Sequence, residues 1–247
     1  MNDRKNIDRL RIPLIFRILM INMVFFLFVG LSLEQQIEAN EKINVVRYRT
    51  IRHTGNIEPW SMRIDSKGDE VKVTIDGRTK TGEMTKTNVI LIQKQIQKIE
   101  IYENDILIRS IQYDYEKLRV LVMQNNQGKI KEKSYDLKDN ILENEALIYL
   151  FGIMNLNPGE KYVFNHLNSK DLRVAEMYLK NKGEESMEIN GKKYQAVKYE
   201  MGLNGYILSK FWPHKYYWWY DKKTGKFLQY EGMSADGKNI DRNEIVE

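Results

Sequence analysis

The sequence predicts a mainly β protein, a curved antiparallel sheet or half-barrel that encloses one short helix. From Ile43 onward, apolar and polar residues alternate with a period of two in short segments separated by turn residues. After the N-terminal leader, only Ile141–Phe151 has the length and apolar character of a helix. The chain has no cysteine, so packing rather than disulfides must hold the sheet together. We expect a leader at 1–33, a single domain at 43–233 and a polar tail at 234–247.

The leader has the pattern of an export signal. A basic segment precedes Ile18–Leu33, a run of sixteen residues without a charge. Gly30 and Ser32 supply small side chains at the −3 and −1 positions of a cleavage site. Extended to residues 12–33, the run is also long enough to anchor the chain in the inner membrane. A cleaved signal and an uncleaved anchor both stay open, and either one delivers the domain to the periplasm or cell envelope.

The net charge of +5 suggests a nucleic-acid partner, but its distribution along the chain does not support one. Residues 1–33 account for +3 of it, which leaves +2 on the rest of the chain. There, lysine and glutamate are interleaved as on an ordinary solvated surface, rather than gathered into a basic face. We therefore expect no nucleic-acid binding.

The first half of the domain reads as an antiparallel meander. Trp60–Asp65 and Glu70–Asp76 flank a turn at Gly68 and predict a hairpin. Asn104-Asp105 and Asn125–Gly128 mark further turns. The remaining strands predicted here are Val45–Thr50, Val89–Ile92, Ile99–Tyr102, Ile106–Arg109, Leu118–Met123 and Ile130–Leu137.

The helix at Ile141–Phe151 has recognisable ends. Asn140 is a suitable N-cap, and Glu143 stands three residues later at the capping-box spacing. Gly152 suits a left-handed residue that closes the last turn. Apolar side chains cover most of the helix circumference, so the helix needs cover on most sides. We expect it to lie in the hollow of the sheet.

The second half returns to strands after a turn at Asn157–Gly159. Asn190-Gly191 predicts the type I′ turn of a tight hairpin. The strands predicted here are Glu160–Asn165, Leu172–Lys180, Glu184–Ile189, Tyr194–Met201, Tyr206–Phe211, Tyr216–Tyr220 and Phe227–Tyr230.

The strand Tyr216–Tyr220 carries large aromatic side chains on both faces. Alternation places Tyr216, Trp218 and Tyr220 on one face and the other two aromatic residues on the opposite face. One face can pack into the core, and the other must meet a helix, a ligand, a membrane or a partner. Packing by the loop around Trp212 is the structural alternative.

Three stretches resemble the successive blocks of the family called domain of unknown function 3108. They are Asn157–Phe164 directly after the apolar helix, Gly183–Glu200 with its glycine turn, and the aromatic Trp218–Tyr230. The resemblance covers about Ile141 to Gly232. It implies an exported bacterial protein similar to the lipoprotein-localisation factors, in which a half-open β-barrel wraps a helix and can hold acyl chains. No catalytic residue comes with it.

No arrangement of residues predicts a reaction. His53, His166 and His214 are widely separated and lack paired ligand spacing, so we expect no metal and no cofactor. Aspartates at predicted hairpin ends are typical turn residues rather than a catalytic carboxylate pair. We therefore expect a protein that is not an enzyme.

Two functions follow from the predicted fold. The first is non-catalytic binding of an apolar or amphiphilic, lipid-like molecule between sheet and helix. The alternative is a structural or protein-interaction module of the cell envelope with a fully packed core. The residues expected to contact a ligand are Leu147, Phe151, Trp212, Tyr216, Trp218 and Tyr220.

Overall fold

A computed structural model describes residues 44–79, 81–205, 215–233 and 239–246. The predicted export segment at 12–33, the weak strand predicted at Tyr206–Phe211 and Trp212 lie outside these ranges. The first eight strands are β1 (Asn44–Ile51), β2 (Ile57–Lys67), β3 (Glu70–Arg78), β4 (Met84–Ile92), β5 (Gln95–Glu103), β6 (Ile106–Asp114), β7 (Arg119–Asn126) and β8 (Lys129–Asp136).

A short 3-10 turn, Leu137–Asp139, leads from β8 into the second half. It is followed by β9 (Ile141–Glu143), the helix α1 (Asn144–Ile153), β10 (Lys161–Asn168), β11 (Arg173–Ile189), β12 (Lys192–Leu203), β13 (Tyr216–Asp221), β14 (Phe227–Met233) and β15 (Ile240–Ile245). Across the described ranges, no helix has the length and apolar character needed to cross a membrane.

The described strands form one sheet, and β15 joins its two halves. Strands β1 to β8 pair in chain order as an antiparallel meander, and so do β10 to β14. The last strand lies between β1 and β14, where Tyr48 faces Ile245 and Tyr230 faces Asn243. The predicted fold class, mainly β with a curved antiparallel sheet around one helix, is confirmed.

Residues 240–245, predicted to belong to a polar tail at 234–247, instead form the integral strand β15. Asp241 accepts a hydrogen bond from Arg52 at 2.8 Å, and Glu244 accepts one from Arg49 at 2.8 Å. The two carboxylates are therefore paired with arginines, one in β1 and one directly after it. Ile245 is buried in the core.

The sheet closes further than the predicted half-barrel. Its end strands β8 and β9 do not pair with each other, and the connection between β10 and β11 bridges toward β7 and β8. Gln124 of β7 donates to the carbonyl of Lys170 at 2.7 Å, and the Tyr135 hydroxyl of β8 donates to the carbonyl of Leu172 at 2.8 Å. The result is a nearly closed, barrel-like sheet.

The helix exists as predicted but begins three residues later. Ile141–Glu143 pairs in parallel with Asn165–Leu167 of β10, so its backbone groups are satisfied by a strand. Glu143 is the true N-cap, and its carboxylate accepts from the backbone N–H of Glu145 at 2.7 Å. Asn140, with a φ of 51°, instead ends the 3-10 turn. The boundary prediction failed because tertiary strand pairing overrode a local capping pattern.

Two hairpin details illustrate how local sequence sets the turns. Asn190 and Gly191 have φ values of 51° and 76°, the positive pair that a type I′ turn requires. The segments predicted as Leu172–Lys180 and Glu184–Ile189 form one long strand, β11, interrupted by a bulge between Asn181 and Gly183. The glycine-containing break therefore bends the strand without ending it.

The C-terminal half of α1 is seated against the turn between β13 and β14. Leu147 and Phe151 are fully buried. Gly152 lies inside the helix, where a Cβ would overlap the carbonyl oxygen of Gly225 and come within 3.0 Å of the Tyr220 ring. The Tyr220 hydroxyl donates to the carbonyl of Ile148 at 3.1 Å. Gly152 is therefore a close-approach residue, and the prediction that it ends the helix is wrong.

Candidate functional site

A cavity of about 660 Å³ lies between α1 and the concave face of the sheet. Its walls come from both halves of the sheet, β1 to β4 and β10 to β15, and from the first turns of the helix. Small-molecule sites in proteins have volumes of roughly 300–1,000 Å³. The cavity is therefore large enough for a ligand of that class.

One part of the wall is a row of residues that face one another across four strands. Trp218 of β13 lies opposite Tyr230 of β14, Tyr230 opposite Asn243 of β15, and Asn243 opposite Thr50 of β1. Directly opposed residues share a face of the sheet, so all four line the cavity. The Trp218 and Tyr230 rings are 4.6 Å apart. The apolar wall also includes Trp60, Ile75, Ile148, Met177 and Met201.

The two faces of β13 have different environments. Tyr216 and Trp218 line the cavity. Tyr220, on the same face, packs beneath the helix. Trp219 points to the opposite face, where its Nε1 donates to Glu185 at 2.5 Å and Lys198 lies 4.7 Å above its ring. The face that carries Trp218 is therefore the concave one.

The six residues predicted to contact a ligand have different locations. Tyr216 and Trp218 lie at the cavity. Leu147 and Phe151 are core residues, and the Phe151 ring meets the Trp218 ring edge-on at 5.4 Å. Tyr220 is likewise buried and does not line the cavity. Trp212 lies outside the described residues.

Several cavity residues were missed by the sequence reasoning. The helix contributes Glu145 and Ile148, one turn apart on a face that differs from the buried face of Leu147 and Phe151. His166 comes from β10, and Trp60 comes from β2. The 3.6-residue period could have separated the two helix faces if the start of the helix had been placed correctly.

Charged groups on one side of the cavity are largely paired. Arg52 donates to Glu58 at 3.0 and 2.5 Å and to Asp241 at 2.8 Å. Burial alone would raise the pKa of Asp241, but hydrogen bonds from Arg52 and His53 lower it below its ordinary value. Arg78 is exposed, and its guanidinium donates to the carbonyl of Gly82 at 3.2 Å.

Three residues that line the cavity each have a buried polar atom with no hydrogen-bond partner among the described residues. These atoms are Glu145 Oε2, His166 Nε2 and Trp218 Nε1. Leaving a buried donor or acceptor unsatisfied costs about 1–3 kcal/mol each. Burial lowers the pKa of His166, and the charge of Glu145 opposes this effect. This part of the cavity is polar and incompletely satisfied.

A buried polar cluster lies behind the start of the helix, and we call it the closure cluster. It consists of Arg109, Gln124, Glu143 and Ser169, all less than a tenth exposed. Arg109 donates to Ser169 Oγ at 2.8 Å, and Ser169 Oγ donates to Glu143 at 2.7 Å. Burial raises the pKa of Glu143 well above its ordinary value, and the charge of Glu145 raises it further. The cluster connects β6 and β7 to the N-cap of the helix.

Comparison with known proteins identifies similar folds. No family model matches the sequence, and no curated protein matches it. The resemblance to domain of unknown function 3108 therefore stays a prediction. A β-barrel-like protein of domain of unknown function DUF1849 from Brucella abortus has a TM-score of 0.52, covers 82% of this chain and 95% of its own, and is 9% identical. At that identity the likeness concerns the fold alone.

Two weaker likenesses carry no argument. The hypothetical lipoprotein YmcC from Escherichia coli has a TM-score of 0.34 and 12% identity, over 90% of this chain and 91% of that one. The lipoprotein LppX from Mycobacterium tuberculosis has a TM-score of 0.24 and 8% identity, over 88% and 93%.

Proposed function

We propose that this protein is a non-catalytic binding protein of the cell envelope and holds a lipid-like, amphiphilic molecule in the cavity between the sheet and α1. The observation that carries the proposal is the cavity itself, about 660 Å³, bounded by the helix and by strands from both halves of the sheet. An apolar chain would be buried there against Trp60, Met201 and Trp218.

The nature of the walls supports an amphiphile over a purely apolar ligand. Aromatic rings and methionines form one part of the lining, and Glu145, His166 and Asn243 form another. Methionine side chains adapt to a flexible acyl chain, and aromatic rings bury a large apolar area against it. A ligand with an apolar body and a polar end would match both parts.

The alternative function, an interaction module of the envelope, predicts a fully packed concavity. The size of the cavity argues against it. Strand β8 does have an outer edge that pairs with no described strand, and most of its side chains are exposed. However, its exposed lysines are typical of an edge protected against pairing, so this edge does not favour a docking role.

Export is the second part of the proposal, and it rests on the leader at residues 1–33. Protease added to spheroplasts should digest the domain while cytoplasmic marker proteins survive. Protection of the domain equal to that of the markers would remove the envelope assignment. The outcome is independent of whether the leader is cleaved.

The binding experiment is a titration of the purified chain with three ligands that share a twelve-carbon chain. Dodecanoate, 1-monolauroylglycerol and dodecylphosphocholine would each be added below the concentration at which it forms micelles. Tryptophan fluorescence should change saturably with at least one ligand, because Trp60 and Trp218 line the cavity. Calorimetry should give a negative heat-capacity change on binding, the mark of apolar burial. Absence of saturable binding by all three would contradict the proposal.

Two neighbouring tryptophans provide a matched pair of variants. Trp218→Ala removes part of the cavity wall, and it should weaken binding by about 1–3 kcal/mol. Trp219→Ala changes the opposite face of the same strand, so it should lower stability and leave affinity unchanged. Equal loss of affinity in both variants would indicate a general effect on folding rather than a site on the concave face.

A further inference from the structure

Most of the unsatisfied polar side-chain atoms among the described residues belong to residues that line the cavity. Four buried side-chain atoms in the described residues lack a hydrogen-bond partner, and three of them belong to Glu145, His166 and Trp218. All three residues line the cavity, and they come from α1, β10 and β13. Native proteins contain few such atoms, and each requires an explanation. That three such residues, from three separate elements, line one cavity points to a polar group supplied by the ligand.

The chemistry of the three side chains restricts that group. The indole N–H of Trp218 can only donate, so it requires an acceptor. The carboxylate of Glu145 can only accept, so it requires a donor. His166 Nε2 can do either, depending on the tautomer. A hydroxyl or a primary or secondary amide offers both a donor and an acceptor, whereas a carboxylate or a phosphate diester offers acceptors only.

Charge gives an independent restriction. Trp218 is only 7% exposed, which places the polar group away from bulk water. An anion there would be repelled by Glu145, and among the described residues Arg52 is already paired with Glu58 and Asp241. Arg78 also lines the cavity, but it is exposed, and solvent screens its charge.

We infer that the ligand of this cavity has an uncharged, hydroxyl- or amide-bearing polar end, as in a monoacylglycerol, and that Glu145, His166 and Trp218 bind this end. The inference rests on the proposed function and adds the class of headgroup. It assigns to Glu145 a selective role, because its carboxylate accepts from the ligand hydroxyl and excludes anionic amphiphiles. The acyl chain lies along the apolar part of the wall.

The test compares two ligands that differ in headgroup but share a dodecanoyl chain. At pH 7.5 and fixed ionic strength, the purified full chain should bind 1-monolauroylglycerol at least about tenfold more tightly than dodecanoate, a difference of about 1.4 kcal/mol. Glu145→Gln keeps the size and hydrogen-bonding capacity of the side chain and removes its charge. In this variant the preference should fall to about threefold or less, through a gain in dodecanoate affinity.

Two further variants complete the design. Glu132→Gln, on the exposed strand β8 and away from the cavity, removes the same charge and should leave the tenfold preference intact. His166→Phe removes a polar partner while keeping a planar ring, and it should weaken binding of 1-monolauroylglycerol more than binding of dodecanoate.

Each outcome decides a separate point. Equal or tighter binding of dodecanoate by the wild type would overturn the inference while leaving the lipid-binding proposal in place. If Arg78→Gln then abolished dodecanoate binding, Arg78 would be the residue that binds the polar end of the ligand, in place of the three unsatisfied groups. An unchanged preference in Glu145→Gln would likewise remove the selective role of Glu145. Failure of both ligands to bind, together with dodecylphosphocholine, would remove the proposed function itself.

Discussion

Gly152→Ala tests whether the helix is seated on the β13–β14 turn as the structure describes. Gly152 is inside α1, so alanine should favour the helix by about 1 kcal/mol if only helix propensity mattered. The structure opposes this gain. The new methyl group would overlap the carbonyl oxygen of Gly225 and press on the Tyr220 ring.

The magnitude follows from what surrounds the methyl group. Overpacking a well-packed site costs about 1–3 kcal/mol, and the upper part of that range applies because a backbone carbonyl cannot rotate away as a side chain can. Tyr220 is also restrained by its hydrogen bond to Ile148. Subtracting the gain in helix propensity leaves a net loss of about 2 kcal/mol in the free energy of unfolding. For a domain of this size, the loss corresponds to a melting temperature lower by about 4–8 °C.

The assay is urea unfolding followed by circular dichroism, with an m-value that should stay unchanged. Gly77→Ala is the matched control, because a Cβ there would lie 3.4 Å from its nearest neighbours, Trp60 and Thr85, at ordinary contact distance. It should change stability by less than about 1 kcal/mol. An increase in stability of about 1 kcal/mol for Gly152→Ala would refute the reasoning, since it would mean that helix propensity acts without the close contact.

Three other perturbations test the core, the closure cluster and its titration. Phe151→Asp should prevent folding, because it buries an unpaired carboxylate at a fully buried position; soluble protein with wild-type thermal stability would show that the helix is not a core element. Ser169→Ala removes the hydroxyl shared by Arg109 and Glu143 and should cost about 1–3 kcal/mol in urea unfolding, whereas Ser134→Ala on exposed β8 should cost almost nothing. The pKa of Glu143 is higher in the folded protein than in the unfolded chain, so protonation of Glu143 stabilises the folded state. This stabilisation is fully present below the unfolded pKa, near 4.5, and is lost as the pH rises through the folded pKa. Relative to Glu143→Gln, the wild type should therefore lose unfolding free energy as the pH rises above about 4.5, and a difference independent of pH would contradict the assignment.

The fold class could be predicted from the sequence because it depends on local patterns. Period-two alternation and turn residues such as Asn190-Gly191 determine strands and hairpins over short distances. The same reasoning failed for β15, whose residues alternate only weakly. Its position depends on pairing with β1, nearly 200 residues earlier in the chain, and on the ion pairs of Asp241 and Glu244.

The site was only partly predictable for a related reason. Alternation correctly grouped Tyr216, Trp218 and Tyr220 on one face, but it could not tell which face is concave. Nor could it show that Tyr220 is used to seat the helix. His166 and Glu145 carry no local signature, because their significance comes from meeting at one cavity from separate elements. Misplacing the start of the helix also concealed which helix residues face that cavity.

Native mass spectrometry of the protein released intact from the cell envelope, without added lipid, tests most directly whether the cavity holds a ligand. We predict one bound molecule per chain with the mass of an uncharged acyl lipid, and a lower occupancy in Trp218→Ala than in Trp219→Ala. A spectrum with only the mass of the bare protein, in preparations where a lipid-binding control protein stays loaded, would contradict the proposed function.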